Sequence, residues 1–169
     1  MPFRIPWTDR SGRDFLDAFL AFHLRAREEW RPESWSLVLG VYVDGEPAGT
    51  QDVRAERFAE RREVETGSWL GRAFQGRGLG TEMRAAVLEL AFARLGAEAA
   101  VSGAFEWNAA SLRVSEKLGY RPAGEAVCEP RGVPERELVM RIERADWLRR
   151  ERRPVEVEGL GPCLPLFGL

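Results

Sequence analysis

The alternation of apolar and polar positions along the chain predicts short strands and two well-marked helices. Residues 36–43 read Ser-Leu-Val-Leu-Gly-Val-Tyr-Val, a β-rich run. Asp44-Gly45 is a strong hairpin signal, and residues 46–54 return as the next strand. Residues 57–62 are charged and predict a loop or a short helical turn. A third strand is expected over 63–70 (EVETGSWL) and another over 99–105 (AAVSGAF). Residues 120–128 and 137–142 predict two closing strands joined by a turn at 130–134.

Helical spacing appears in three places. Ser11 is positioned to cap a helix over 12–30, with Phe15, Phe19 and Phe22 near one face. Residues 81–95 place Met83, Ala86, Val87, Leu90 and Ala91 on one face, with Gly96 as the stop. Asn108 caps a shorter helix over 109–118, which Gly119 ends. A basic helical turn is expected over 146–153. Residues 1–9 read as irregular and proline-bearing. The resulting order is helix, hairpin, strand, glycine loop, helix, strand, helix, hairpin. That order predicts one mixed α+β domain over 1–169, with its core at about 36–147. Residues 154–169 form an apolar, proline-bearing tail expected to pack on something.

Composition removes several function classes. The chain has 169 residues, 44% of them hydrophobic, so it can bury a core without disulfides. Its formal charge of -2, from 25 basic and 27 acidic residues, gives no electrostatic footprint for nucleic acid. No apolar run approaches the length of a membrane span, and the start lacks a signal-peptide pattern. A soluble cytoplasmic protein is the expectation. Cys128 and Cys163 have no metal-ligand spacing, and the single His23 lies in a predicted helix without plausible partners. A zinc site or a histidine-based hydrolase is therefore disfavoured, and no metal is expected.

The candidate chemistry lies between the third strand and the second long helix. There Gln75-Gly76-Arg77-Gly78-Leu79-Gly80-Thr81 alternates glycine with other residues. Such a backbone can curl and present successive N–H groups to one anion at a helix N-terminus. Arg72 or Arg77 can add charge and Thr81 a hydroxyl, so a diphosphate is the natural occupant. The loop lacks the Gly-Lys-Ser/Thr ending of a P-loop, and Thr81 stands where a dinucleotide fingerprint needs its third glycine. Taken alone, it equally fits a ligand-free glycine turn.

Its surroundings carry a resemblance. Gln75-x-x-Gly78-x-Gly80 resembles the Q/R-x-x-G-x-G/A signature of the GNAT superfamily of N-acetyltransferases. Glu65-Thr66-Gly67-Ser68-Trp69-Leu70 resembles the E-I-G-Y-W-L strand of its Rim-type branch, which acetylates ribosomal-protein N-termini. Thr81-Glu82 resembles that branch's helix start. Asn108-x-x-Ser111 followed by Glu116-Lys117-Leu118-Gly119-Tyr120 resembles its N-x-x-S…E-K-x-G-F/Y segment. The likeness covers roughly residues 41–147.

The resemblance implies a GNAT fold: a twisted, mostly antiparallel sheet with splayed middle strands, flanked by helices. It implies acetyl-CoA as cosubstrate and a primary amine, on a protein N-terminus or a small molecule, as acceptor. Backbone groups of Trp69, Leu70 and Gly71 would bond the pantetheine arm as a neighbouring strand would. Gln75, Gly76, Arg77, Gly78, Leu79, Gly80 and Thr81 would hold the pyrophosphate. Asn108 and Ser111 would lie near the acetyl end.

Acetyl transfer needs a neutral amine, so a proton acceptor helps, and Glu65 is the expected base. At the leaving sulfur the resemblance implies an acid: Ser111 resembles the Rim-type candidate, and Tyr120 resembles the tyrosine acid of other branches. Each has a plainer reading: Glu65 as a strand residue paired with an arginine, Ser111 as part of a helix cap, Tyr120 as packing. A non-catalytic CoA-binding domain is the competing function. Ser68 stands where the Rim-type strand often has tyrosine. The family's usual first strand is missing from the pattern. That predicts an open sheet edge, covered by the tail or by a second copy in a homodimer.

Overall fold

The computed structural model describes Arg4, Ile5 and residues 7–169. The expected irregular start therefore lies partly outside the described residues (Met1, Pro2, Phe3 and Pro6). Trp7–Asp9 makes one 3₁₀ turn. Helix α1 spans Gly12–Glu28. Strands β1 (Ser34–Val43) and β2 (Glu46–Glu56) form the expected hairpin. The hairpin turn places Asp44 and Gly45 at positive φ, as the sequence demands there. A single turn, α2 (Phe58–Arg61), buries Phe58 and leads into β3 (Glu63–Leu70). Helix α3 (Leu79–Glu89), strand β4 (Ala99–Phe105), helix α4 (Ala109–Lys117), strands β5 (Arg121–Cys128) and β6 (Glu135–Glu143), and α5 (Arg144–Leu148) complete the order.

The six strands form one sheet in the order β1-β2-β3-β4-β6-β5. Every pairing is antiparallel except β3 with β4. This is the mixed α+β architecture that the element order predicts. The parallel pair is short, running only through Glu63↔Ala99, Val64↔Ala100 and Glu65↔Val101. Beyond it β3 stays with β2 as far as Leu70, while β4 stays with β6 as far as Phe105. The middle strands therefore part, leaving a wedge-shaped gap between residues 66–70 and 102–105.

One face of the sheet carries the core. Val53, Val64 and Ala100 pack there against Val87, Leu88, Ala91 and Phe92. α3 begins two residues earlier than the pattern predicts, at Leu79, and its last turn widens into a π turn over Leu90–Arg94. Leu95 N–H bonds Leu90 O there, at 3.0 Å.

The C-terminal tail does pack. Its 3₁₀ segment Gly161–Phe167 buries Phe167 against Trp35 and Trp30, with ring centroids 4.9 and 5.2 Å apart. It forms no strand, so it does not close the sheet. Among the described residues no strand precedes β1, whose outer edge stays open.

Candidate active site

The glycine loop lies where β3 hands over to α3. Gly76 and Gly78 adopt positive φ, +73° and +84°, a region that costs other residues about 1–2 kcal/mol. Gly78 is the N-cap of α3, and the first helical bonds run from Thr81 and Glu82 N–H to Gly78 O. The N–H groups of Gly76, Arg77, Gly78, Leu79 and Gly80 find no acceptor among the described residues. The loop is exposed, and Arg77 lies over the Phe74 ring at 5.9 Å. Gln75 points the other way. Its Nε2 donates to Leu70 O at 2.8 Å, tying the loop to the end of β3. Gly71 N–H donates to Ala48 O at 2.8 Å and anchors the same corner.

Asn108 is the N-cap of α4, its Oδ1 accepting Ser111 N–H at 3.3 Å. The cap uses only the oxygen, so the amide NH₂ has no partner among the described residues. The Ser111 hydroxyl likewise has none. Gly80 of α3 faces α4: a β-carbon there would stand 3.5 Å from Val114.

Three further residues define the apex of the gap. Thr66 is the first β3 residue past the parallel pairing, and its hydroxyl donates to Val101 O at 3.2 Å. The Tyr120 hydroxyl lies 3.2 Å from the same Thr66 oxygen. Tyr120 is 4% exposed and packs in the core, and burial pushes its phenol up against the pull of Arg84.

Arg84 itself is 3% exposed. From α3 its Nη1 donates to Ser102 Oγ at 2.8 Å and its Nη2 to Ser68 Oγ at 3.0 Å. A buried cation thus spans the gap, and it forms no salt bridge among the described residues. Sequence reasoning misses it, although position 84 falls inside the apolar arc of Met83, Val87, Leu88 and Ala91.

The opposite face of the sheet is polar. Residues directly across an antiparallel ladder share a face, which groups Arg54 with Glu65, Asp52 with Gly67, and Thr50 with Trp69. Trp69 is half-buried and rests against Trp7 at 5.5 Å. Glu65 is bonded by Arg54 and approached by Arg4 at 3.4 Å. Burial raises its carboxyl, but the Arg54 hydrogen bond and the two arginine charges outweigh burial and hold it below the usual range. The plainer reading of Glu65, as an arginine's partner, is the one its contacts favour. Glu137, 3% exposed, accepts from Arg4 with both oxygens, at 2.7 and 2.6 Å.

The domain pattern described as an acetyltransferase (GNAT) domain matches residues 1–121. The chain belongs to that family. Solved structures agree in fold. Mycobacterium smegmatis RimJ, in complex with CoA-disulfide, is 21% identical, with 84% of this chain and 70% of that one covered at a TM-score of 0.73. A mutant form of the spermidine/spermine N-acetyltransferase SpeG from Vibrio cholerae is 16% identical, covering 82% and 81% at 0.67. A putative acetyltransferase from T. thermophilus is 25% identical, covering 67% and 61% at 0.60.

Proposed function

We propose that this GNAT protein transfers an acetyl group from acetyl-CoA to a primary amine. One observation carries the reading. The gap between β3 and β4 opens beside the N-terminus of α3, where the loop and first helical turn present five successive N–H groups, Gly76 to Gly80, unpaired among the described residues. A strand-like arm ending in a diphosphate has complementary chemistry along that whole path. In this reading the backbone of Trp69, Leu70 and Gly71 bonds the arm, and the loop from Gln75 to Thr81 holds the pyrophosphate. Asn108 then offers its free amide near the thioester. Ser111, whose hydroxyl has no partner among the described residues, is the acid this reading favours at the sulfur, because Tyr120 already shares its hydroxyl with Thr66.

The Rim-type motifs and the RimJ likeness favour a protein N-terminus as acceptor, and the SpeG likeness favours a polyamine. The open edge of β1 and the exposed Leu16, Leu20 and Leu24 of α1 support a homodimer, which the mass in solution at micromolar concentration tests. Among the described residues no helix is long and apolar enough to cross a membrane. The cytoplasm, where acetyl-CoA is at hand, is the compartment that the transferase reading implies.

Glu65's ion pairs are the observation that favours the second reading, a non-catalytic CoA-binding domain. Thermal shift with acetyl-CoA, followed by turnover with spermidine and with peptides bearing free N-termini, separates the two. A shift with turnover supports the transferase. A shift without turnover supports the binding domain. No shift defeats both, because a ligand of the native state must raise its stability.

A further inference from the structure

We infer that Asp52, on β2, is the group that accepts the proton of the incoming amine; the inference rests on the acetyltransferase reading. Four carboxylates lie near the point where β3 and β4 part. Glu63 is paired with Arg61 and Arg141, Glu65 with Arg54 and Arg4, and Glu137 with Arg4. Asp52 alone among these four has no ion-pair partner and no side-chain donor among the described residues. It is half-buried, so it stays reachable without being fully solvated.

Its position follows from register. Asp52 stands opposite Gly67, two residues beyond the last β3 residue that pairs with β4. Gly67 has no side chain, and the Asp52 carboxylate fills that space. Its oxygens lie 2.7 and 2.8 Å from where a β-carbon of residue 67 would be. The carboxylate therefore lies over Gly67 on β3, the strand that lines one side of the gap, on the same face as Trp69. A side chain at 67 would close this path, which gives the glycine of the Glu65-Thr66-Gly67 motif a role in this chain.

Chemistry fits the placement. A base that is already ion-paired must give up its partner to take a proton. Asp52 has no ion-pair partner to give up among the described residues. Burial pushes its carboxyl up and the charge of Glu65 on β3 adds to that, against the charges of Arg54 on its own strand and Arg84 on α3 and a hydrogen bond from its own backbone N–H. A raised carboxylate lies closer in affinity to an amine and is the better acceptor. The step balances. An alkylammonium gives one proton to Asp52, and the neutral nitrogen attacks the thioester carbonyl. The C–S bond then breaks, and the sulfur leaves as thiol with the second nitrogen proton. Asp52 returns its proton to water.

Three measurements on Asp52→Asn and Gly67→Ala test this: acetyl-CoA affinity by calorimetry, melting temperature, and kcat/KM for spermidine and an alanyl peptide from pH 6 to 10. Asp52→Asn is expected to bind acetyl-CoA as the parent does and to lose about 100-fold or more in kcat/KM at pH 7. The deficit should shrink about tenfold per pH unit as the acceptor loses its own proton, up to its pKa. Gly67→Ala should lower the rate by displacing the carboxylate, and should have no added effect in the Asp52→Asn background.

An unchanged rate in Asp52→Asn, a deficit that does not vary with pH, or fully additive losses would overturn the assignment while leaving the acetyltransferase reading intact. A parent protein that binds acetyl-CoA but acetylates neither amine would overturn that reading, and Asp52's role with it.

Discussion

Arg84 donates to Ser102 at 2.8 Å, so the helix that begins at the glycine loop also grips the strand on the far side of the gap. Its second bond, to Ser68, holds the near side. Both acceptors are neutral hydroxyls, and Nε has no acceptor among the described residues. Burying a cation in this way adds little to stability, and apolar replacement of buried charges is often neutral or stabilising. Its value lies in fixing how far apart the two strands stand. Arg84→Met is therefore expected to keep or raise the melting temperature and to weaken acetyl-CoA binding by about tenfold, the equivalent of about 1.4 kcal/mol of lost preorganisation. Calorimetry beside a melting curve checks both. A folded variant with full affinity would reduce Arg84 to a packing residue.

The glycines of the loop are not equivalent. Gly78 needs its positive φ, whereas a β-carbon on Gly80 would meet Val114 and Leu70 at 3.5 and 3.8 Å, ordinary contact distances. This accounts physically for a signature that fixes glycine at the first of these positions and admits alanine at the second. Gly80→Ala should leave folding and acetyl-CoA affinity within about twofold of the parent. Gly78→Ala should cost about 1 kcal/mol in the free protein, ~2–4 °C in melting temperature at this length. It should also weaken acetyl-CoA by tenfold or more as the N–H groups turn away. Equal losses from the two substitutions would contradict this account.

The C-terminal tail is a structural part of the fold. Phe167 is 3% exposed and meets the stacked Trp35 and Trp30 rings edge-on, while Trp30 Nε1 donates to Leu166 O at 2.7 Å. Phe167→Ala is expected to cost about 3–5 kcal/mol by emptying this aromatic pocket. It should leave the acetyl-CoA affinity of the remaining folded protein unchanged. Urea unfolding gives the first quantity and calorimetry at low temperature the second.

Local signals made most of this legible in the sequence. The alternation over 63–70 and 99–105 set β3 and β4 to the residue, and Asn108 caps α4 as its side chain suggests. What the sequence hid depends on register. Nothing in the one-dimensional pattern says that Arg54 faces Glu65, which turns the most obvious candidate base into an ion-paired residue. Nor does it say that Asp52 faces Gly67. Arg84 did leave a trace, as a charge inside an apolar helical arc, but only the splay of β3 from β4 explains what it holds. The pattern offers no strand before β1, and among the described residues there is none; the 3₁₀ packing of the tail is not legible, because Pro162 and Pro165 fit a turn as well as an edge strand.

Asp52 and Glu65 should answer pH with opposite signs. Glu65 is held below its ordinary range when folded, so its contribution is present above the unfolded glutamate pKa, about 4.3, and is lost as pH falls through the folded value. Glu65→Gln should destabilise the protein at pH 7, and the loss should fade in acid. Asp52 is held above its ordinary range. Below about pH 3.9 both folded and unfolded chains keep its proton and the residue costs nothing. As pH rises, the unfolded chain releases the proton first, so the folded state loses relative stability until the raised folded value is passed. Asp52→Asn removes that titration. It should therefore stabilise the protein at pH 7, with the gain vanishing toward pH 3, while it impairs acetyl transfer. Urea unfolding of the parent and both variants at several pH values between 3 and 7 measures this. Destabilisation by Asp52→Asn at neutral pH would mean that the carboxylate has a partner that stabilises it, and would remove the physical basis for its basicity.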